Sequence, residues 1–302
     1  MTNKKVDTAE KETESGSTSA SQTLNRAIQL LQLVSGSRTA GLALSDLVRS
    51  AGLTKPTTRR LLISLIENGL IEQDAESRRY FVGPETYTLG VLASERFGVH
   101  RLAAECLVRM AEITGDAALL SVQRGNETVC LAREEGSFPL RSHVLQAGDR
   151  HPLGVGAAGI AMLALLSDEE IDTVLATNAD RLQAHYVSQS PDLLRRQVTE
   201  TRRNGFALNA GHVFKGSWGV SVAFHDARSN TLGALTIAGV ESRFTGSRIE
   251  ELVALLNTEK TMLELRLKRS GYPPQTEAPP RAARIARSSR RTPVHQGNKH
   301  HV

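Results

Sequence analysis

The stretch Lys55-Pro56-Thr57-Thr58-Arg59-Arg60 gathers cations and hydroxyls into less than two helical turns, which is the chemistry of a polyanion contact. Arginine pairs with guanine O6 and N7, and threonine meets thymine methyls or phosphates. Lys55 and the open amides of a first helical turn suit phosphate. Arg78 and Arg79 add a second basic point further along the chain. Another chemistry-bearing pattern is Gly154-Val155-Gly156-Ala157-Ala158-Gly159, which spells the Gly-x-Gly-x-x-Gly dinucleotide fingerprint. That fingerprint needs a buried strand before it and an acidic residue about 20 residues later. Gly148-Asp149-Arg150-His151-Pro152 precedes it here and does not read as a buried parallel strand. An NAD-linked oxidoreductase therefore stands as the alternative, and the glycines read better as close packing at a pocket wall. There is no His-Glu-x-x-His, Cys-x-x-Cys or Gly-x-Ser-x-Gly, and His143, His151, His185, His212 and His225 are scattered. No catalytic residue, metal site or cofactor is expected.

The elements that must carry the basic residues are legible as apolar periodicity. Leu24, Ala27, Ile28, Leu31 and Val34 share one helix face, and Leu44, Leu47, Val48 and Ala51 make a short amphipathic helix. Gly52-Leu53 breaks it: the glycine permits a turn, and the leucine can plug the angle between two helices. Thr54 is the expected N-cap and Pro56 suits the first turn of a third helix, with Leu61, Leu62, Leu65 and Ile66 inward and Asn68-Gly69 at its end. The basic stretch thus falls in the N-terminal half of a second helix-turn-helix helix, the half that enters a major groove. Leu70 to Gln73 and Arg78 to Val82 then form a hairpin, a wing with two arginines near its tip. The same three helices would also build a protein-interaction module whose basic residues are a solvated face. Turn glycine, basic helix and arginine-bearing wing in that order favour DNA.

Beyond Gly83-Pro84 helices alternate with β-rich stretches. Leu102, Cys106, Met110 and Ile113 share a helix face, and Ala118 to Gln123 with Thr128 to Ala132 read as a hairpin. Ser167-Asp168-Glu169-Glu170 is a capping box, and Ser190-Pro191 opens a helix that stops at Gly205. Val220 to His225 and Leu232 to Ala238 read as a strand pair, and a long helix follows Ser247. At both ends the chain is polar. Residues 1–20 are expected to be a disordered tail, and 271–302 a second one carrying Arg281, Arg284, Arg287, Arg290 and Arg291. That second tail holds much of the formal charge of +5, so net charge alone argues only weakly for nucleic acid. No apolar run approaches the roughly 18 residues that span a bilayer, and the N-terminus is too polar for a signal peptide, so a cytoplasmic protein with no membrane partner is expected. Cys106 and Cys130 are expected to be buried as small apolar residues.

With these residues placed, the chain from Leu24 to about Lys268 resembles the IclR family of bacterial transcription regulators. The likeness is carried by Leu24-Asn25-Arg26-Ala27, Gly52-Leu53-Thr54-Lys55 and Arg60-Leu61-Leu62, then by Gly148 to Leu153, Gly205-Phe206-Ala207, and Gly239 with Arg243-Phe244. The resemblance implies an α+β chain: a winged helix-turn-helix over 21–83, a linker helix over 84–97, and a GAF-like α/β effector-binding domain over 98–270. It implies a homodimer or homotetramer on a pseudo-palindromic operator in double-stranded DNA, modulated by a small organic or aromatic acid. By motif position the pocket is lined by His143, Ala157, Ala158, Asn209, Gly219, Thr236 and Ala238, each of which ordinary packing would also explain. Ile160 stands where family members usually carry lysine, and Asn209, Gly211 and His212 stand where acidic residues are frequent. A less charged site suggests a bulkier or less polar effector, with Arg141, His143 or His212 available for a carboxylate. The same departures leave open a degenerate pocket that senses nothing.

Overall fold

The computed structural model describes residues 6–94, 98–140, 145–226 and 231–269. The basic tail from Gly271, with its arginines, lies outside the described residues. The chain divides into two compact units, Met1–Phe97 and Gly98–Val302. Among the described residues no helix is long and apolar enough to cross a membrane.

The first unit begins with helix α1 (Val6–Gly36), followed by a short 3₁₀ turn, α2 (Leu44–Ala51) and α3 (Lys55–Glu67). A hairpin of β1 (Ile71–Gln73) and β2 (Tyr80–Val82) precedes α4 (Pro84–Ser94). The backbone of α1 is helical from Val6. Leu30, Val34, Leu47, Leu61, Leu62, Leu65, Ile71 and Tyr80 form the core. Leu24 and Ile28, expected on the inward face of α1, are 62% and 38% exposed: the core under this helix begins only at Ala27, beyond Leu24, and its buried face runs through Ala27, Leu30 and Val34, to the side of Ile28. Gly52 ends α2 at φ +64°, the left-handed conformation that a side chain disfavours, and so sets the turn into α3. Gly83 is needed for a different reason: a Cβ there would lie 2.2 Å from the Gly69 carbonyl oxygen.

The second unit is a six-stranded antiparallel sheet in the order β5-β4-β3-β8-β7-β6. Helix α5 (Val99–Thr114) leads into β3 (Ala117–Arg124) and β4 (Glu127–Glu134), and β5 (Arg150–Pro152) closes one edge. Helices α6 (Gly156–Leu163), α7 (Asp168–His185) and α8 (Pro191–Asn204) follow. Then β6 (Ala207–Ala210), β7 (Ser217–Asp226) and β8 (Thr231–Val240) complete the sheet before α9 (Gly246–Arg269). Alternation along the strands sorts their side chains. Ala118, Leu120, Val122, Val220, Val222, Leu235 and Ile237 pack under α5 and α9, whereas Ala223, Leu232 and Ala234 pack under α6, α7 and α8. The expected capping box at Ser167 is formed with both of its hydrogen bonds, and Ser190 caps α8 through Leu193. Cys106 and Cys130 are both buried. Burial and the nearby Glu259 carboxylate push the Cys106 thiol up to about 11, so at neutral pH it is a small apolar group.

A charge cluster ties three elements of this unit together. Asp116, which is 4% exposed, receives Arg243 Nε at 2.7 Å and Arg248 Nη2 at 2.8 Å, and both guanidinium groups also donate to the Thr114 carbonyl. Arg243 lies 4.2 Å over the Phe138 ring. Removing one partner of such a buried pair leaves the others uncompensated. Asp116→Ala is therefore expected to lower unfolding stability by about 3 kcal/mol in urea denaturation; a loss below about 1 kcal/mol would show the cluster to be incidental.

Candidate functional site

On α3 the core and the charges take opposite faces. Thr54 caps the helix, its hydroxyl oxygen accepting from the Thr57 amide, and its own hydroxyl donates to Thr57 Oγ1 at 2.9 Å. Lys55, Arg59 and Arg60 are exposed. Thr58, expected among the DNA-contacting residues, is not on that face. It is fully buried, and its hydroxyl donates to the Thr54 carbonyl at 3.0 Å. At 100° per residue, position 58 shares the inward side with Leu61, Leu62 and Leu65, so helix phase overrides its polar character. Thr57 is half-buried and its hydroxyl is already engaged with Thr54.

The wing separates its two arginines by role. Asp74 organises the turn, accepting from the Ser77 amide and hydroxyl, which hold its carboxyl below the ordinary aspartate value. Arg78 sits exposed at the tip with φ +57°, a conformation uncommon outside glycine. Arg79 Nη1 donates to the carbonyls of Ala40 and Gly41 at 3.2 and 3.0 Å. One edge of its guanidinium thus anchors the wing to the loop before α2.

In the second unit, sheet register assembles the other site. Asn209 on β6 lies opposite Gly219 on β7, Gly219 opposite Ala238 on β8, and Ala238 opposite Ala117 on β3. The neighbouring row runs through Leu119, Thr236 and Ser221. These rows and the first turn of α6 border a cavity of about 70 Å³, lined by Ala157, Ala158, Asn209, Gly219, Thr236 and Ala238 among others. Six of the expected pocket residues therefore come together, while His143 and Arg141 lie outside the described residues. His212 does not line the cavity; its Nδ1 faces Gln197 Nε2 at 3.4 Å. The Gly154 to Gly159 segment follows an antiparallel edge strand of three residues and opens α6. No parallel strand feeds it, so the dinucleotide reading loses its structural basis.

The cavity is mostly apolar with a few polar groups on its wall. Val155 gives the first turn of α6 no side-chain cap, and first-turn amides lack intrahelical acceptors. Thr128 Oγ1 and Asn209 Oδ1 are buried without a protein partner, while Thr236 donates its hydroxyl to Ser221 Oγ at 2.9 Å. Sequence reasoning missed the rest of the lining, including the polar Thr128, Arg133, His151 and Ser217. The Arg133 side chain is 5% exposed, pairs with Glu135 at 2.7 Å and donates to the Leu145 carbonyl. The period-2 phase of β4 does not reveal it, because a buried arginine depends on partners distant in the chain. His151 Nδ1 lies 2.7 Å from the Tyr186 hydroxyl. Burial, aided by the positive Arg181 and opposed by Asp149, holds His151 below the ordinary histidine value, so the ring is neutral at pH 7. Among the described residues no group of three metal-ligating side chains occurs.

A winged helix-turn-helix followed by a sheet domain with a half-open, largely apolar cavity defines a ligand-responsive DNA-binding regulator. The comparisons agree. The family model for the IclR helix-turn-helix domain matches residues 23–75, and that for the bacterial transcriptional regulator IclR C-terminal domain matches residues 91–261. The chain belongs to the IclR family of transcription regulators. It is 26% identical over 237 residues to the acetate operon repressor of Salmonella typhimurium, covering 78% of this chain and 86% of that one. It is 30% identical over 242 residues to the glycerol operon regulatory protein of Streptomyces griseus, covering 77% and 91%. A crystal structure of an IclR transcriptional regulator from Silicibacter superposes with a TM-score of 0.69 at 25% identity, covering 81% and 96%. An IclR homologue from Microbacterium hydrocarbonoxydans, complexed with 4-hydroxybenzoate, has the same fold at a TM-score of 0.65 and 20% identity, covering 82% and 99%. The matched relatives are regulators, which displaces the oxidoreductase alternative.

The neutral His151 has a consequence for stability. Its folded pKa is depressed and its unfolded value is ordinary, so below about pH 6.5 the unfolded chain takes up a proton that the native chain does not. Stability is expected to fall as pH drops below 6.5, until the folded pKa is passed. His151→Gln should flatten that part of a melting-temperature profile between pH 7 and 5; an unchanged slope would refute the assignment.

Proposed function

We propose that this regulator binds a pseudo-palindromic operator as a homodimer and responds to a small carboxylic acid held in the cavity between α6 and the sheet. The observation that carries the ligand reading is the convergence of the uncapped first turn of α6 with the unpartnered Thr128 hydroxyl, while Asn209 Oδ1 nearby is an acceptor for a hydroxyl on the same ligand. Helix N-terminal amides favour an anion, the buried hydroxyl of Thr128 has a proton to donate, and the apolar wall suits a hydrocarbon body. A cavity of about 70 Å³ is about half the roughly 150 Å³ that admits benzene. A short aliphatic acid enters it as it stands, whereas an aromatic acid requires side chains to move. The volume favours a shorter effector than the missing charges suggested.

On the DNA side, α3 enters the major groove with Arg59 and Arg60 toward base edges and Lys55 toward phosphate, while Arg78 and the outer edge of Arg79 flank it from the wing. Dimerisation is supported by apolar surface on two helices of the first unit. Helix α4 buries none of its side chains, and Tyr87, Leu89, Val91 and Leu92 are 47–78% exposed; Leu24 and Ile28 on α1 add to them. Surface of that kind in a monomer marks an association site, and a two-fold dimer matches two half-sites.

Gel shifts with duplex from the gene's own upstream region, at moderate salt with competitor, test the DNA reading. Arg60→Ala is expected to lower affinity for the preferred duplex by about 1–3 kcal/mol with little change on random DNA. Lys55→Ala should weaken both alike and reduce the salt slope by about one. No sequence-preferring complex at this or neighbouring promoters would sink the operator reading. For the effector, a melting screen of short aliphatic acids and benzoates is expected to raise the melting temperature of the native protein with at least one compound. Gly219→Leu, which fills the cavity, should abolish that rise; if no acid moves the melting temperature, the cavity is not a carboxylate sensor.

A further inference from the structure

One residue on the exposed face of α3 has no part in the contacts considered so far. Ile63 is 47% exposed, although Thr58, Leu61, Leu62 and Leu65 on the same helix are buried. Its direction is settled by helix phase: it points opposite that core set, in the middle of the outward face. Arg60 and Arg59 precede it by three and four residues, the spacings at which helical side chains lie beside one another. Neither arginine has a protein partner among the described residues, so the isoleucine stands between two available cations.

This setting selects the occupant. Other exposed apolar residues of the unit, such as Tyr87 and Leu92, lie on α4, away from these cations in sequence, and suit a protein surface. An apolar protein patch laid over Ile63 would bury the two guanidinium groups unpaired, which is costly. A major groove offers both kinds of partner at once: guanine O6 and N7 or phosphate for the arginines, and the thymine C5-methyl as the apolar group on its floor. We infer that Ile63 is a specificity-determining residue, packing on the methyl of one thymine in each operator half-site while Arg59 and Arg60 meet polar groups beside it. The inference rests on the operator reading above and adds to it a base preference at one position.

The test uses the full-length protein and a duplex enriched by it from a randomised pool. Each thymine is replaced in turn by deoxyuridine, which removes the methyl and preserves pairing. At one symmetry-related position per half-site the replacement is expected to weaken native binding about fourfold per methyl, the worth of burying one such group. Ile63→Ala, chosen because the residue is half-exposed and checked by its melting temperature, should bind the thymine duplex more weakly by about the same factor and be indifferent to the replacement. The inference is overturned if no thymine position matters to the native protein, or if the methyl effect is the same in both proteins at every position. Failure to enrich any sequence would overturn the operator reading itself and this inference with it.

Discussion

The second unit depends on a sheet that is covered on both faces. Its central strands must be apolar on both sides, which is why β3 reads Ala-Ala-Leu-Leu-Ser-Val and is buried along nearly all its length. On one face α5 and α9 fill the space with leucine and methionine. On the other, the residues opposed across β6, β7 and β8 are Asn209, Gly219 and Ala238, too small to reach the first turn of α6. The cavity is the space left over. Its location follows from a local shortage of side-chain volume, and its polarity from what borders that shortage.

Charge is disposed differently in the two units. In the second, several cations are committed: Arg243 and Arg248 to Asp116, Arg109 to Glu259 at 2.6 Å, and Arg150 and Arg181 to Glu127 at 2.7 Å each. In the first, Lys55, Arg59, Arg60 and Arg78 are exposed on α3 and the wing. An uncommitted cation gains most from an external anion, so this clustering, rather than the net charge, supports the proposed nucleic-acid face.

Much of this was readable along the chain. Helix starts at Ser167 and Ser190, the turn at Gly52, the wing, and both major hairpins rest on interactions within a few residues, and short-range chemistry writes them locally. Where the reading failed, the deciding contact was distant or the phase was finely balanced. Thr58 looked like a base reader by composition and turned inward by its angle on α3. Leu24 and Ile28 carry an apolar rhythm, but the core beneath α1 stops short of Leu24 and faces Ala27, Leu30 and Val34 rather than Ile28. His151 reaches the cavity only because β5 pairs with β4 at one edge of the sheet, and Arg133 because β4 sets it opposite Leu119 of β3.

By itself the sequence determined the order of elements, the basic helix after its turn, and the family, since these depend on residue type and spacing alone. Tertiary structure decided which face each residue presents and which strands lie side by side. The order β5-β4-β3-β8-β7-β6 joins β3 to β8 across more than a hundred residues of chain, and no local preference encodes that pairing. It is set by the need to bury two apolar faces at once, and from it come the row of small residues and the cavity. In the first unit the packing of one face of α3 on the core gives Thr58 and Arg59 their opposite fates.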